Sequence, residues 1–240
     1  MSNQSKRPIQ WLTFDVLGTC VDWLSSLSHD GPVECQKLDI QTAIDWKSFA
    51  VTWLGAYAEG IAAANGAGPW LRAEVIIRNG LEQALASVGV NGVSELQMDA
   101  LCRLWDRLRP WPDAPCGLEK IRRGGRSLAT LSNFGKETLE AIGAHGDLPW
   151  NRILSSETVR CYKPDPAVYA MAVEKLNVDP AKIMMVAAHG YDLEAASKAG
   201  FATAFVIRAT EGPPPVPNAF DLVVADFDDL ATQLDQQFGF

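Results

Sequence analysis

The stretch WLTFDVLGTC, Trp11 to Cys20, sets an apolar, β-favouring run against a single carboxylate, Asp15, and then the turn pair Gly18-Thr19. A short apolar run bounded by turn residues reads as a buried strand. Two residues beyond Asp15, where a second acid would give an acid pair, the chain has Leu17. The question is what one carboxylate does at the end of a buried strand without a partner.

Outward from this strand the pattern changes. From about Asp22 to Arg109 the segments DWKSFAVTWLGAYAEGIAAA, WLRAEVIIRNGLEQALASVGV and SELQMDALCRLWDRL carry helical spacing. Ser94 followed by Gln97 fits a capping box. No strand-like run lies among them, so this is expected to be a helical insertion. From Pro110 alternation begins. SLATLSN, RILSS, KIMMVAA, ATAFVI and DLVVADF read as strands, and KETLEAIGAHG, DPAVYAMAVEKLNV, DLEAASKAG and DDLATQLDQQF as helices. Strands alternating with helices imply a parallel sheet covered on both faces. The expected fold is α/β: a Rossmann-like doubly wound parallel sheet, residues 1–20 and 110–240, with an inserted helical cap, residues 21–109. The proline-rich EGPPPVPNAF reads as a surface loop without function.

Length and composition suit this. The chain has 240 residues, 48% hydrophobic and 21% charged, enough for a sizeable core. A net charge of -8 argues against nucleic acid as a partner. No stretch approaches the roughly 20 apolar residues of a membrane span. The N-terminus has no apolar signal region, and the five cysteines are scattered without a C-x-x-C pair. A cytoplasmic location with reduced thiols is therefore expected. The three histidines show no zinc-ligand spacing.

In doubly wound sheets the chemistry lies beyond the carboxyl ends of the strands. Those ends offer Asp15 and Thr19, then Ser132 and Asn133, then His189 and Asp192, with Lys163 before the DPAVYAMA helix. Asp15 needs no help to ionise in water, where a carboxylate has a pKa near about 3.9. Desolvated and aimed, it can act as a nucleophile. Burial would neutralise it unless a cation such as Lys163 stands near. Each residue also has a plainer fate: Asp15, Thr19, Ser132 and Asp192 as caps, and Lys163 as a solvated surface lysine.

FDVLGT, LSN, YKPDPAVY and VAAHGYDLEAA, in this order, resemble the four motifs of the haloacid dehalogenase superfamily. LSNFGKETL with SSETVRCYKPDPAVYAMA resembles its type II haloacid dehalogenases in particular, and the likeness covers nearly the whole chain. The resemblance implies Asp15 as nucleophile, Lys163 and Thr19 supporting it, and Asp192 supporting the lysine and a water. It implies Ser132 and Asn133, with free N–H groups of the following helix start, as the seat of a substrate carboxylate. Leu17, Trp70, Tyr191 and His189 are expected to complete the walls. No cofactor or metal is implied, and a homodimer is.

The implied reaction is displacement at C2 of a short 2-haloacid through an aspartyl ester, giving a 2-hydroxy acid. The lone acid fits, because a departing halide needs no proton. Phosphatases of the superfamily carry a second acid two residues on and bind Mg²⁺, a hard ion wanting several oxygens. This chain also departs from the type II pattern. Leu17 replaces an aromatic, Ala187 and His189 replace a serine and an asparagine, and Lys47 is the only basic residue where an arginine receives halide. Arg72 and Arg78 lie later in the cap. The departures leave a rival open: opening of a strained ring such as azetidine-2-carboxylate, with Asp45 or His189 meeting the amine. A Mg²⁺-dependent phosphatase and a non-catalytic module on the same fold are the remaining alternatives.

Overall fold

The structure, a computed structural model, describes residues 8–40, 44–66, 69–213, 215–216 and 218–238. Five strands form one sheet: β1 (Trp11–Phe14), β2 (Ser127–Thr130), β3 (Ile183–Ala187), β4 (Ala202–Val206) and β5 (Leu222–Val224). Their order is β2-β1-β3-β4-β5, and every pairing is parallel. Phe14 stands in register with Thr130 on one side and Val186 on the other. The ends of β1, β2 and β3 are therefore level, which brings Asp15, Ser132 and His189 to one edge.

Alternation along the strands feeds two cores. Leu12, Phe14, Leu128, Met184 and Val186 point into one, and Ala129, Met185, Ala187 and Phe205 into the other. Both faces are covered by helices, as a parallel sheet requires. These include α6 (Lys136–His145), α7 (Pro166–Leu176), α8 (Gly190–Lys198) and α9 (Phe227–Gln237).

Between Asp22 and Arg109 the described residues contain helices and no strand: α1 (Trp23–Lys37), α2 (Trp46–Ala64), α3 (Ala73–Ser87), α4 (Glu95–Cys102) and a 3-10 turn at Arg103–Arg107. The Ser94–Gln97 capping box is present in both directions. The chain leaves and rejoins the sheet layer at one place, where Val21 and Pro110 form an antiparallel bridge. The first core continues through this segment as an aromatic ladder. Phe49 meets Trp53 at 6.0 Å, Trp53 meets Trp105 at 5.4 Å, and Trp105 meets Phe134 at 5.8 Å.

Three local expectations are corrected. RILSS, residues 152–156, is not a strand. Arg152 and Ser155 make only isolated bridges, to Ala129 and Ser132. Thr130 bonds Leu154 through its side chain in both directions, beside backbone bonds from Thr130 N–H to Arg152 O and from Ser156 N–H to Ser132 O. Two helices were not anticipated: α1, whose Gly31-Pro32 pair reads as a breaker, and α5 (Ala114–Arg123). The segment EGPPPVPNAF is not wholly a surface loop: its first residue, Glu211, lines the cavity described below.

Candidate active site

A cavity of about 420 Å³ lies beyond the ends of β1, β2 and β3, with Asp15 on its floor. Asp15 is 6% exposed and its carboxylate is fully engaged. Lys163 Nζ donates to Oδ1 at 2.9 Å, and the Thr19 hydroxyl donates to Oδ2 at 2.8 Å. His189 Nδ1 lies 3.1 Å from the same Oδ2. Burial pushes the Asp15 pKa up, but Lys163 and His189 outweigh it and hold the group well below the usual carboxylate range. Asp15 is thus an anion kept out of water, at a strand end that the flanking strands pin in register.

Lys163, 4% exposed, is shared with Asp192, whose Oδ2 accepts its second bond. Tyr169 donates to Asp192 Oδ1 at 2.6 Å. Asp192 does not line the cavity; it stands behind Lys163 with both oxygens engaged. Burial raises its pKa against the pull of Lys163, while the two carboxylates together carry the lysine's pKa upward.

The group that sequence reasoning missed is Glu211. Its Oε2 lies 3.0 Å from His189 Nε2, and its Oε1 accepts from Trp23 Nε1 at 2.8 Å and Thr210 Oγ1 at 2.7 Å. His189 is therefore held between two carboxylates. Burial lowers its pKa, but the bonds and charges of Asp15 and Glu211 prevail and carry it up to about 10. It is an imidazolium donating from both nitrogens. The signal for Glu211 was its place: it follows β4 by five residues, beyond the carboxyl end of the sheet, as Asp15 follows β1. Gly18 makes room for it. Its φ is +75, and a Cβ there would lie 2.5 Å from the Glu211 carboxyl carbon.

Ser132 and Asn133 line the cavity as expected, but the helix start after them does not. Ser132 Oγ accepts from Phe134 N–H, and the Lys136 N–H at the start of α6 goes to Glu157 Oε1 at 3.1 Å. An anion here meets the Ser132 hydroxyl and the Asn133 amide instead. Asn133 Oδ1 is itself taken by the Lys163 backbone N–H at 2.8 Å, which leaves the amide NH2 for the cavity. Leu17 and Tyr191 also line it, Tyr191 at the mouth and 53% exposed. Trp70 does not: it stacks on Tyr162 at 6.3 Å, outside the cavity.

The cap side of the cavity comes from one face of α2, including Leu54, Tyr57 and Ile61. Among the described residues no arginine lines it. Lys47 and Asp45 lie exposed at the start of α2, with Asp45 capping the helix through Lys47 N–H. Arg72 pairs with Glu74, and Arg78 with Glu95 and Asp99. The cations of the cavity are Lys163 and His189, each already bonded to two acids. Among the described residues no group of three or more His, Cys, Asp or Glu is placed to hold a metal ion, and no helix is long and apolar enough to cross a membrane.

The fold that carries this buried aspartate is one that known proteins share. Residues 11–200 match the family model of haloacid dehalogenase-like hydrolases. The fold superposes on the defluorinating L-2-haloacid dehalogenase Rha0230 with a TM-score of 0.87 and 31% identity, covering 97% of this chain and 98% of that one. For the L-2-haloacid dehalogenase PA0810 the values are 0.86 and 32%, covering 95% and 99%. A 34% identical segment of the (S)-2-haloacid dehalogenase of Pseudomonas sp. strain YL covers 45% of this chain and 47% of that relative. With the (S)-2-haloacid dehalogenase 4A of Burkholderia cepacia the identity is 35%, over 49% and 51%. The chain thus spans about half the length of these first two relatives. With a family model over most of its length and two solved structures matched end to end, the chain belongs to the haloacid dehalogenase-like hydrolases.

Proposed function

We propose that this chain hydrolyses a 2-haloacid by displacement at C2 through an ester on Asp15, giving a 2-hydroxy acid. The observation that supports it most is Asp15 itself: a buried, ionised carboxylate facing the cavity, with Leu17 at the position two residues on where a second acid would stand. Of its two oxygens, Oδ1 has one bond and Oδ2 two, so Oδ1 is the freer nucleophile. It forms the bond to C2 as the carbon–halogen bond breaks and the halide leaves with the electron pair. Lys163 holds Asp15 ionised, and Ser132 and Asn133 receive the substrate carboxylate. We assign the cap role to residues 21–109 and the catalytic role to the sheet layer.

Forming the ester removes the charge on Asp15. His189 then loses one of the two anions that keep it protonated, and its pKa falls. Paired with Glu211, it becomes a base for the water that attacks the Asp15 carbonyl carbon. Having released its proton to solvent, His189 takes one proton from the attacking water and passes it to the departing hydroxyl oxygen. The water's second proton, left on the Asp15 carboxyl group, then goes to His189, which restores both the carboxylate and the imidazolium. Asp192 acts on Lys163 from behind rather than on this water.

The test is halide release from (S)-2-chloropropionate in the presence of EDTA. Release at a steady rate is expected, and one turnover in ¹⁸O-water should leave label in Asp15. Silence across a panel of 2-haloacids would remove the reading. The absence of arginine from the lining among the described residues supports one second reading, ring opening with a tethered amine leaving group, which azetidine-2-carboxylate added to the panel separates by measuring primary amine. A homodimer in the cytoplasm accompanies the proposal, and light scattering tests the first part.

A further inference from the structure

Most polar groups of the cavity face an apolar wall; the exception is Asn65 at the end of α2, whose side chain is taken up by the Tyr162 backbone carbonyl and N–H. Asp15, Ser132, Asn133, Lys163, His189 and Glu211 are contributed from below, by the sheet edge and its loops. The opposite wall is one face of α2: Leu54, Tyr57, Ala58, Ile61 and Ala62, spaced three and four apart as one helix face requires. Leu17 and Trp23 join it. Tyr57 and Ile61 are buried, at 5% and 8%, and Ala58 and Ala62 lie exposed at the mouth, where Tyr191 is 53% exposed. Small side chains there leave an open path from the floor to solvent. Both cations of the cavity are bonded to acids on the floor, and the α2 wall adds none.

The volume exceeds what a three-carbon acid needs. At ~30 Å³ per water, a cavity of about 420 Å³ holds roughly fourteen water volumes. A 2-halopropionate has about six non-hydrogen atoms and leaves roughly half the space to water against apolar wall. Volumes of ~300–1,000 Å³ lined mainly by apolar side chains are typical of sites for larger ligands.

We propose that the natural substrate class is a 2-substituted carboxylic acid whose C2 carries an extended apolar group, about four or more further carbons, lying along the Leu54–Tyr57–Ile61 face of α2 towards Tyr191. The proposal rests on the displacement reading above for its leaving group, but the apolar subsite stands or falls separately. The carboxylate sits at Ser132 and Asn133, the C2 carbon at Asp15, and the chain leaves along α2 between Ala58, Ala62 and Tyr191.

The experiment has two arms. In the first, bromide release is measured for (S)-2-bromo acids from propanoate to octanoate. kcat/KM should rise about fourfold per added methylene up to about hexanoate. A flat or falling series overturns the proposal. In the second, halogen-free propanoate, butanoate and hexanoate are titrated calorimetrically into the Asp15→Asn protein, a measurement that needs no turnover. Hexanoate should bind at least tenfold tighter than propanoate, and Ala62→Phe on the same background should erase that difference. Equal affinity of the two acids, or a ratio untouched by Ala62→Phe, overturns the subsite whatever the enzyme does. If no bromo acid is turned over but hexanoate still binds tighter, the displacement reading fails and the apolar subsite is upheld.

Discussion

His189 keeps its proton because two carboxylates face its two nitrogens, and each step of the proposed cycle changes that number. While Asp15 is free, the histidine titrates at about 10. Ester formation asks no proton of His189, so kcat/KM, which reads the chemistry up to that step, should show no limb from the histidine between about pH 6 and 9. kcat, which includes ester hydrolysis, should instead show an acid limb where His189 of the ester gains its proton, and Glu211→Gln should move that limb to lower pH. His189→Gln should still alkylate Asp15, giving a burst of about one halide per active site, and then turn over about 10²–10⁴-fold more slowly. Rapid-quench measurement of halide checks this, and a variant with no burst at all would place His189 in the first step instead. Stability carries the same signature. The folded pKa lies above the unfolded ~6.5. The histidine's contribution is thus complete below pH ~6.5 and is lost as pH rises through about 10. Melting curves of wild type and His189→Gln should differ most at pH 6 and converge by pH 10.5.

At the scale of elements, the turn after β1 is held by residues that join it only in three dimensions. The Gly18 carbonyl accepts from Trp111 Nε1, the Thr19 carbonyl from Arg208 Nε, and the Cys20 carbonyl from the Trp111 backbone N–H. Arg208 in turn makes two bonds to Asp113, at 2.7 and 3.0 Å, and packs over the rings of Trp111 and Phe227. Thr19 needs this restraint, because its hydroxyl bonds Asp15 and also accepts the Ala188 N–H. Arg208→Lys keeps the charge and the Phe227 N–H on Asp113, but loses the two-pronged bond to Asp113 and the donor to Thr19 O. It should cost about 1–3 kcal/mol in thermal unfolding, for the hydrogen bonds lost at Thr19 O and Asp113. kcat should fall more than KM rises; an unchanged kcat at lower stability would confine Arg208 to the fold. These contacts mark the limit of what a sequence displays. The ends of β1, β2 and β3 were legible because apolar runs stop abruptly at Asp15, Ser132 and His189. Arg208 and Glu211 were not, because their partners lie 189 and 188 residues away in Thr19 and Trp23. Trp70 misled for the opposite reason: its type suits a cavity wall, and only packing reveals that it stacks on Tyr162.

Over the whole molecule, the helical segment and the sheet share one apolar cluster rather than two. Trp53, Tyr57, Leu81 and Trp105 of the helical segment belong to the same buried group as Phe14, Leu128, Phe134 and Val186 of the sheet layer. Trp105 is the joint, 1% exposed and in ring contact with Trp53, Tyr57 and Phe134. Cooperativity follows shared burial: an element that loses its neighbour exposes apolar area it cannot cover alone. Denaturant unfolding should therefore give one transition. Tryptophan fluorescence, dominated by the helical segment, and far-ultraviolet circular dichroism, which averages over all helices and strands, should coincide. Trp105→Ala is the decisive variant. Truncating a buried tryptophan costs about 3–5 kcal/mol, and through the shared cluster that loss should lower the midpoint of both signals equally. If the fluorescence transition alone moved and the dichroism split in two, the helical segment would be an independently folding unit resting on the sheet. The cavity between them would then be a joint between two bodies, and its volume would vary with their separation rather than being set by one continuous core.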